Sequence, residues 1–314
     1  MKLVILEPLG VAKDQLLAMA GDVLGDRVEI IAYDDRREDV PTLVERSKDA
    51  DIVVLSNFPY REEVISQCSK LKMICVAFTG YDHVDVAYCQ QRGITVCNCA
   101  GYSTTAVAEL VLGMVIALLR RIPACDKAAR SRGTKEGLTG FELEGKTFGV
   151  IGTGAIGLRV AALAQAFGCK VVAYSRTRKE RLGINYMELD ELLKCSDIVS
   201  LHVPANEQTK GLISRERLAL MKPSALLINC ARGPVVDSQA LADALNNRTI
   251  AGAGIDVLEG EPPFPADHPL VTAANTIVTP HTAFATAESM VKRAIIVFDN
   301  IAAYLNGTPK NVIG

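Results

Sequence analysis

Three glycines and three titratable or charged side chains carry the chemistry that can be read in this chain. Gly152, Gly154 and Gly157 stand in Thr147-Phe-Gly-Val-Ile-Gly152-Thr-Gly154-Ala-Ile-Gly157, an apolar run that turns through Gly-x-Gly-x-x-Gly into the helical pattern of residues 158–167. The first glycine permits a tight turn, the second lets the backbone approach a pyrophosphate, and the third allows helix and strand to pack closely. The helix N-terminus then offers amide donors to the anion. Ala155 and Ile156 lie inside the turn and are candidate contacts with the same ligand. Arg232, Glu261 and His281 each follow an apolar run, Leu226-Leu-Ile-Asn-Cys230-Ala, Ile255-Asp256-Val-Leu-Glu-Gly260 and Ile277-Val-Thr-Pro280. If those runs are parallel strands of one sheet, a cation, a carboxylate and an imidazole gather at the carboxyl edge that also bears the glycine turn. Ligands bind at that edge in open α/β sheets, so the set suits acid–base chemistry beside a bound dinucleotide. Singly, Arg232 reads as a surface ion pair, Glu261 as a turn residue before two prolines and His281 as strand-end packing. Together they carry the catalytic reading.

The next apolar run ends in Tyr174-Ser175, followed by Arg176-Thr177-Arg178-Lys179-Glu180-Arg181. NAD-binding turns usually place an acidic residue here for the adenosine ribose hydroxyls. A carboxylate would repel a 2′-phosphate, whereas Ser175, Arg176 and Thr177 can bind one. The pattern favours NADP(H), with NAD(H) as the alternative and a solvated basic loop as the structural reading.

The elements that must position these residues form two series of short apolar runs joined by helical patterns, as in parallel sheets with crossover helices. Residues 3–6, 28–31, 52–55, 73–76 and 94–97 predict five strands, and 147–151, 170–174, 198–201, 225–228, 252–257 and 276–279 predict six. Between the series, Val107, Leu110, Val111, Met114, Val115, Ala117 and Leu118 repeat at helical spacing, predicting one long buried helix over 104–121. Pro123 is expected to end it, and a polar stretch with Gly133, Gly137 and Gly140 to form a surface arm. Residues 287–305 predict a last helix that returns to cover the first sheet, making the first domain discontinuous.

Length and composition set the bounds. At ~150 residues per domain, 314 residues suggest two domains. Apolar residues are 49% and charged ones 22%, which excludes a disordered or collagenous chain. Lys plus Arg number 34 against 36 Asp plus Glu, a net charge of -2, so the global balance favours neither nucleic acid nor an anionic membrane. The nine cysteines read as reduced core thiols, and Cys97-Asn98-Cys99 lacks the spacing of a zinc site, so no metal is expected. Neither a signal peptide nor a membrane span is expected, and the cytoplasm is the expected location.

The motifs Asn229-Cys-Ala-Arg232-Gly-Pro-Val-Val-Asp237, Gly254-Ile-Asp256-Val, Glu261-Pro-Pro263 and Thr279-Pro-His281, with the glycine turn, resemble those of the D-isomer-specific 2-hydroxyacid dehydrogenases over essentially the whole chain. The resemblance implies an α/β fold of two doubly wound parallel-sheet domains. A Rossmann cofactor domain (101–284) would be inserted in a flavodoxin-like substrate domain (1–100 and 285–314), with substrate and cofactor in the cleft between them. It implies that His281 is the general acid/base, Glu261 its hydrogen-bond partner and Arg232 the grip on the substrate carboxylate and carbonyl. It further implies that Asp256 contacts the nicotinamide carboxamide, that Pro204 walls the adenine pocket, and that the backbone of Thr79 and Gly80 holds the substrate carboxylate. Thr209 and Cys230 complete the candidate cofactor contacts, and Asn57 is a candidate substrate contact. Asn98 and residues 102–104 are expected at the interdomain hinge.

Elementary chemistry agrees with these roles. Hydride arriving at a 2-oxo acid carbonyl leaves negative charge on oxygen, which a proton donor and a fixed cation stabilise. Imidazole is the side chain that changes charge near neutrality, and a carboxylate beside it fixes its tautomer. Arginine supplies the planar fork that matches a carboxylate. His202 reads as structural, and His83 and His268 as turn residues. Phosphoglycerate-using relatives place arginines in the loop after the third strand, but Ser56-Asn57-Phe58-Pro59-Tyr60 has none and only Arg61 follows. A small uncharged 2-substituent, as in hydroxypyruvate or glyoxylate, is therefore expected. Formate-oxidising relatives carry Gln where Glu261 stands, which argues against formate. The chain has no Trp, although many relatives carry one near the start of the second domain, so the arm over 124–143 can pack differently. A homodimer is expected from the resemblance. Two other readings are a nucleotide-sensing corepressor-like protein of the same fold and a binding protein that never turns its cofactor over.

Overall fold

Short apolar runs buried along their whole length need cover on both faces, and parallel strands meet that need through crossover helices. The first sheet contains β1 (Lys2–Ile5), β2 (Glu29–Ala32), β3 (Ile52–Leu55), β4 (Met73–Val76) and β5 (Thr95–Asn98). All pair in parallel in the order β2-β1-β3-β4-β5, the flavodoxin-like arrangement. β3 and β4 are wholly buried, with Leu55 opposite Val76. The helix Ala287–Leu305 opens on a capping box between Thr286 and Ser289. It buries Val297, Phe298 and Ile301 and packs against β4 and the helix Lys13–Leu24. The expected return of the C-terminal helix to the first sheet is thus observed.

The second sheet contains β6 (Thr147–Ile151), β7 (Lys170–Tyr174), β8 (Ile184–Tyr186), β9 (Ile198–Leu201), β10 (Leu226–Asn229), β11 (Gly252–Ile255) and β12 (Thr276–Val278). Its order is β12-β11-β10-β9-β6-β7-β8, all parallel. The strand order reverses between β6 and β9, the point at which doubly wound sheets bind dinucleotides. Alternate residues of β10 serve opposite faces: Leu227 joins one apolar cluster, while Leu226 and Ile228 join the other with the helix Thr104–Leu119.

The computed structural model describes residues 1–178 and 183–313. The chain forms two units, Met1–Ser103 with Ala285–Gly314, and Thr104–Phe284. Two sequence expectations need correction. The second sheet has seven strands rather than six, because β8 is a three-residue edge strand, Ile184-Asn185-Tyr186, with no apolar run to mark it. Pro123 does not lead straight into a polar stretch. Arg121 turns left-handed at φ 50° after Leu119, and Pro123 then sits in the first turn of a further helix, Ile122–Arg130, where its missing N–H costs nothing. Among the described residues no helix is long and apolar enough to cross a membrane.

Candidate active site

Each candidate residue of the second unit follows the carboxyl end of a parallel strand, so all share one edge. The glycine turn leaves β6 there. Gly152 has φ 97°, and a Cβ on it would lie 2.4 Å from the His202 carbonyl oxygen. A Cβ on Gly157 would lie 1.9 Å from the Gly152 carbonyl oxygen, so only glycine lets the helix Ala155–Ala166 close on the turn. Gly154 differs, because a Cβ there would meet nothing within 4 Å. It caps the helix without a side-chain hydrogen bond. Among the described residues, the Thr153 hydroxyl beside it is buried with no partner. Open space, uncapped amides and an orphaned hydroxyl fit a pyrophosphate. Ala155 is exposed and Ile156 half-buried at the start of that helix.

Ser175, Arg176 and Thr177 follow β7, where Arg176 Nη1 donates to Gln208 Oε1 at 2.6 Å. Arg178 pairs with Glu188 at 3.0 Å. Lys179, Glu180 and Arg181 of the same basic run lie outside the described residues. After β9 the His202 ring bonds Ser200 Oγ at 2.9 Å, and burial pushes this imidazole down to about 3, so it stays neutral beside the turn. Thr209 Oγ1 donates to the Pro204 carbonyl at 2.5 Å and accepts from the Asn206 amide at 3.0 Å, so Thr209 shapes the loop that carries Pro204. Burial pushes the Cys230 thiol well up, and its Sγ faces Met114 Sδ at 3.9 Å.

Arg232 is presented by a braced turn. Asn229, buried at the end of β10, accepts from the Ala231 amide at 3.1 Å through Oδ1 and donates to the Arg232 carbonyl at 2.9 Å through Nδ2. Arg232 Nη1 donates to the Ala231 carbonyl at 2.8 Å. A Cβ on the next residue, Gly233, would stand 1.9 Å from the Leu258 carbonyl oxygen, so glycine brings the Arg232 turn against the loop that carries Glu261. That loop is tied again by His268 Nε2 to Glu259 Oε2 at 3.0 Å, with His268 Nδ1 accepting from the Leu270 amide at 3.2 Å.

His281 and Glu261 meet directly, Nδ1 to Oε2 at 2.8 Å, with side-chain exposures of 14% and 45%. The ring stacks edge-on to Phe284 at 5.4 Å. His281 adopts φ 53°, a left-handed conformation that costs a non-glycine residue about 1–3 kcal/mol and clusters at functional sites. Asp256 holds it there. Its carbonyl accepts from the His281 amide at 2.8 Å. Its carboxylate accepts from Thr279 Oγ1 at 2.5 Å, the Thr282 amide at 2.8 Å and the Ala283 amide at 2.9 Å. The side chain is 0% exposed and turned inward, where it braces the 279–283 loop. Asn229, Gly233, Thr279 and Thr282 were not assigned roles from sequence, although a polar Asn ending a wholly buried strand is a signal of its own.

Asn57, Thr79 and Gly80 belong to the first unit, after β3 and β4. Asn98 Nδ2 donates to the Thr79 carbonyl at 2.7 Å, and Asn300 Nδ2 donates in turn to the Asn98 carbonyl at 2.9 Å. All nine cysteines are free thiols, six of them buried.

A doubly wound parallel sheet with a glycine turn at its switch point and a histidine–carboxylate pair on the same edge defines a nicotinamide-dependent oxidoreductase. Residues 112–283 match the model of the D-isomer specific 2-hydroxyacid dehydrogenase NAD binding domain, and the chain belongs to that family. A glyoxylate reductase of Korarchaeum cryptofilum is 38% identical over 86% of this chain and 85% of its own. A hydroxypyruvate reductase of Blautia hydrogenotrophica is 34% identical over 100% of this chain and 99% of its own. Among solved structures, an acyclic imino acid reductase (Bsp5) in complex with NADPH and D-Arg superposes with a TM-score of 0.91 at 33% identity, covering 100% of both chains. A D-lactate dehydrogenase from Aquifex aeolicus complexed with NAD and lactic acid gives 0.86 at 32% identity, over 98% of this chain and 96% of its own. The protein is an NAD(P)-dependent oxidoreductase acting on 2-hydroxy and 2-oxo acids.

Proposed function

We propose that the enzyme works mainly as a reductase of small 2-oxo acids, with hydroxypyruvate or glyoxylate as substrate and NADPH as the favoured reductant. The observation that carries this reading is the 2.8 Å His281–Glu261 pair on the edge that bears the glycine turn. The glyoxylate and hydroxypyruvate reductases among the relatives support the substrate class. Ser175 and Arg176 after β7, with no carboxylate beside them among the described residues, support the 2′-phosphate.

Gly152, Gly154, Ala155, Ile156 and Gly157 would hold the pyrophosphate, with Ser175, Arg176, Thr177, Pro204, Thr209 and Cys230 along the remainder of the cofactor. When bound, the dihydronicotinamide supplies the hydride. His281 gives its proton to the carbonyl oxygen through Nε2, because Nδ1 is held by Glu261. Glu261 fixes the ring and offsets the imidazolium charge. Arg232 stabilises the developing oxyanion and grips the carboxylate, and the backbone of Thr79 and Gly80, with Asn57, is the proposed carboxylate and substrate seat. Asp256 keeps His281 in place.

Initial rates of NADPH and NADH oxidation against hydroxypyruvate, glyoxylate, pyruvate and a branched 2-oxo acid test the proposal. Turnover with NADPH faster than NADH is expected. Cofactor binding without turnover on any acid would overturn it. The imino acid reductase neighbour favours a second reading, reduction of the imine formed from a 2-oxo acid and an amine. Adding ammonium or methylamine to the same assay separates the two through the product, an amino acid rather than a hydroxy acid. We further propose a cytoplasmic homodimer. Exposed Phe141 (61%) in the arm and Ile122 (49%) just before it support the dimer, which light scattering checks.

A further inference from the structure

The loop after β3 has no arginine of its own within Ser56–Tyr60, yet a guanidinium reaches it from elsewhere in the chain. Arg36 Nη1 donates to Asn57 Oδ1 at 2.7 Å. The same nitrogen donates to Glu7 Oε2 at 2.9 Å, Nε donates to Glu38 at 2.7 Å, and the guanidinium lies 5.5 Å from the Phe58 ring centroid. Glu7 is buried and its other oxygen accepts from the Ser56 amide at 2.7 Å, so the pair anchors both the cation and the turn. An asparagine amide has an accepting and a donating end. With Oδ1 bound to Arg36, the amide plane of Asn57 is fixed and Nδ2 is its donating end. Among the described residues, the Ser56 hydroxyl in the same turn is buried without a partner.

This turn lies beside the Thr79–Gly80 turn. β3 and β4 are neighbours, Leu55 opposite Val76, and the Ala77 amide donates to the Leu55 carbonyl at 2.7 Å. Neighbouring strands stand about 4.8 Å apart, a span that a three-carbon acid bridges. Two carboxylates, Glu7 and Glu38, surround the one guanidinium, so the cluster does not favour a phosphate. It favours a neutral group able to accept a hydrogen bond.

We propose that Arg36 is a specificity-determining residue, pinning Asn57 so that its amide nitrogen selects 2-oxo acids with a hydroxyl on C3. Arg36 acts through Asn57 and is a positioning residue. The inference rests on the reading of the protein as a 2-oxo acid reductase.

The test compares kcat/KM for hydroxypyruvate and pyruvate, with NADPH, in the full-length chain. The wild type should prefer hydroxypyruvate. Arg36→Leu should lower the hydroxypyruvate-to-pyruvate ratio about tenfold, the scale of one hydrogen bond, through KM rather than kcat and without changing KM for NADPH. Asn57→Asp, which keeps the acceptor and removes the donor, should lose the same discrimination, and Arg36→Lys should regain part of it. An unchanged ratio in Arg36→Leu or Asn57→Asp, with an active wild type, would overturn the inference alone. A wild type inert on both acids and on glyoxylate would overturn the reading on which it rests.

Discussion

Asp256 and His281 are joined through the backbone, the amide of His281 donating to the carbonyl of Asp256 at 2.8 Å while the Asp256 carboxylate gathers Thr279, Thr282 and Ala283 around it. The imidazole therefore takes its place from a buried carboxylate that braces the loop carrying it. Asp256→Asn would turn an amide donor toward backbone donors. A stability loss of about 1–3 kcal/mol is expected, with kcat down at least tenfold. Denaturant unfolding and steady-state rates would check both, and wild-type kcat in the variant would contradict the bracing role.

His281→Gln should remove most turnover, about 10²–10⁴-fold, with NADPH affinity nearly intact. Glu261→Gln should cost less, because the ring keeps a hydrogen-bond partner but loses the compensating charge. Fluorescence titration of NADPH separates catalysis from binding. Loss of cofactor binding in His281→Gln would refute the assignment.

Gly154 and Gly157 make opposite demands. At Gly154 a Cβ meets nothing, and at Gly157 it would lie 1.9 Å from a carbonyl oxygen. Gly154→Ala should leave Tm unchanged and weaken NADPH at least tenfold by intruding on the pyrophosphate seat. Gly157→Ala should destabilise the unit by about 1–3 kcal/mol or more. Equal behaviour of the two variants in thermal melts would count against this picture of the turn.

Arg176→Ala should raise KM for NADPH tenfold or more and leave KM for NADH within about twofold, since only the 2′-phosphate needs the cation. Its partner Gln208 is neutral, so among the described residues the guanidinium has no ion pair to break there. A parallel change for both cofactors would remove the case for a 2′-phosphate site.

His202 gives a pH dependence with a definite sign. Burial pushes its imidazole from 6.5 down to about 3, so between those values the unfolded chain binds the proton and the folded chain does not. Its contribution is present above pH 6.5 and is lost as pH falls toward 3, at up to about 1.4 kcal/mol per pH unit. His202→Gln should flatten unfolding free energy against pH across that window. An unaltered slope between pH 6 and 4 would contradict a neutral His202.

What was legible in the sequence was what local chemistry dictates. The glycine turn is readable because tight turning and close packing each exclude a side chain. The Thr104–Leu119 and Ala287–Leu305 helices show in their periodicity, since a buried face must repeat every 3.6 residues. Arg232, Glu261 and His281 could be placed on one edge because parallel strands end on one edge. Other features needed the tertiary structure. β8 has too few apolar residues to announce itself and exists because β7 offers it a partner. The bracing role of Asp256 depends on Thr279, Thr282 and Ala283, more than twenty positions away, and no local pattern announces it. The left-handed backbone of His281 and the reach of Arg36 to Asn57 are likewise set by packing. Sequence spacing determines which residues can share an edge. The direction in which each side chain points is decided by hydrogen bonds between segments that only folding brings together.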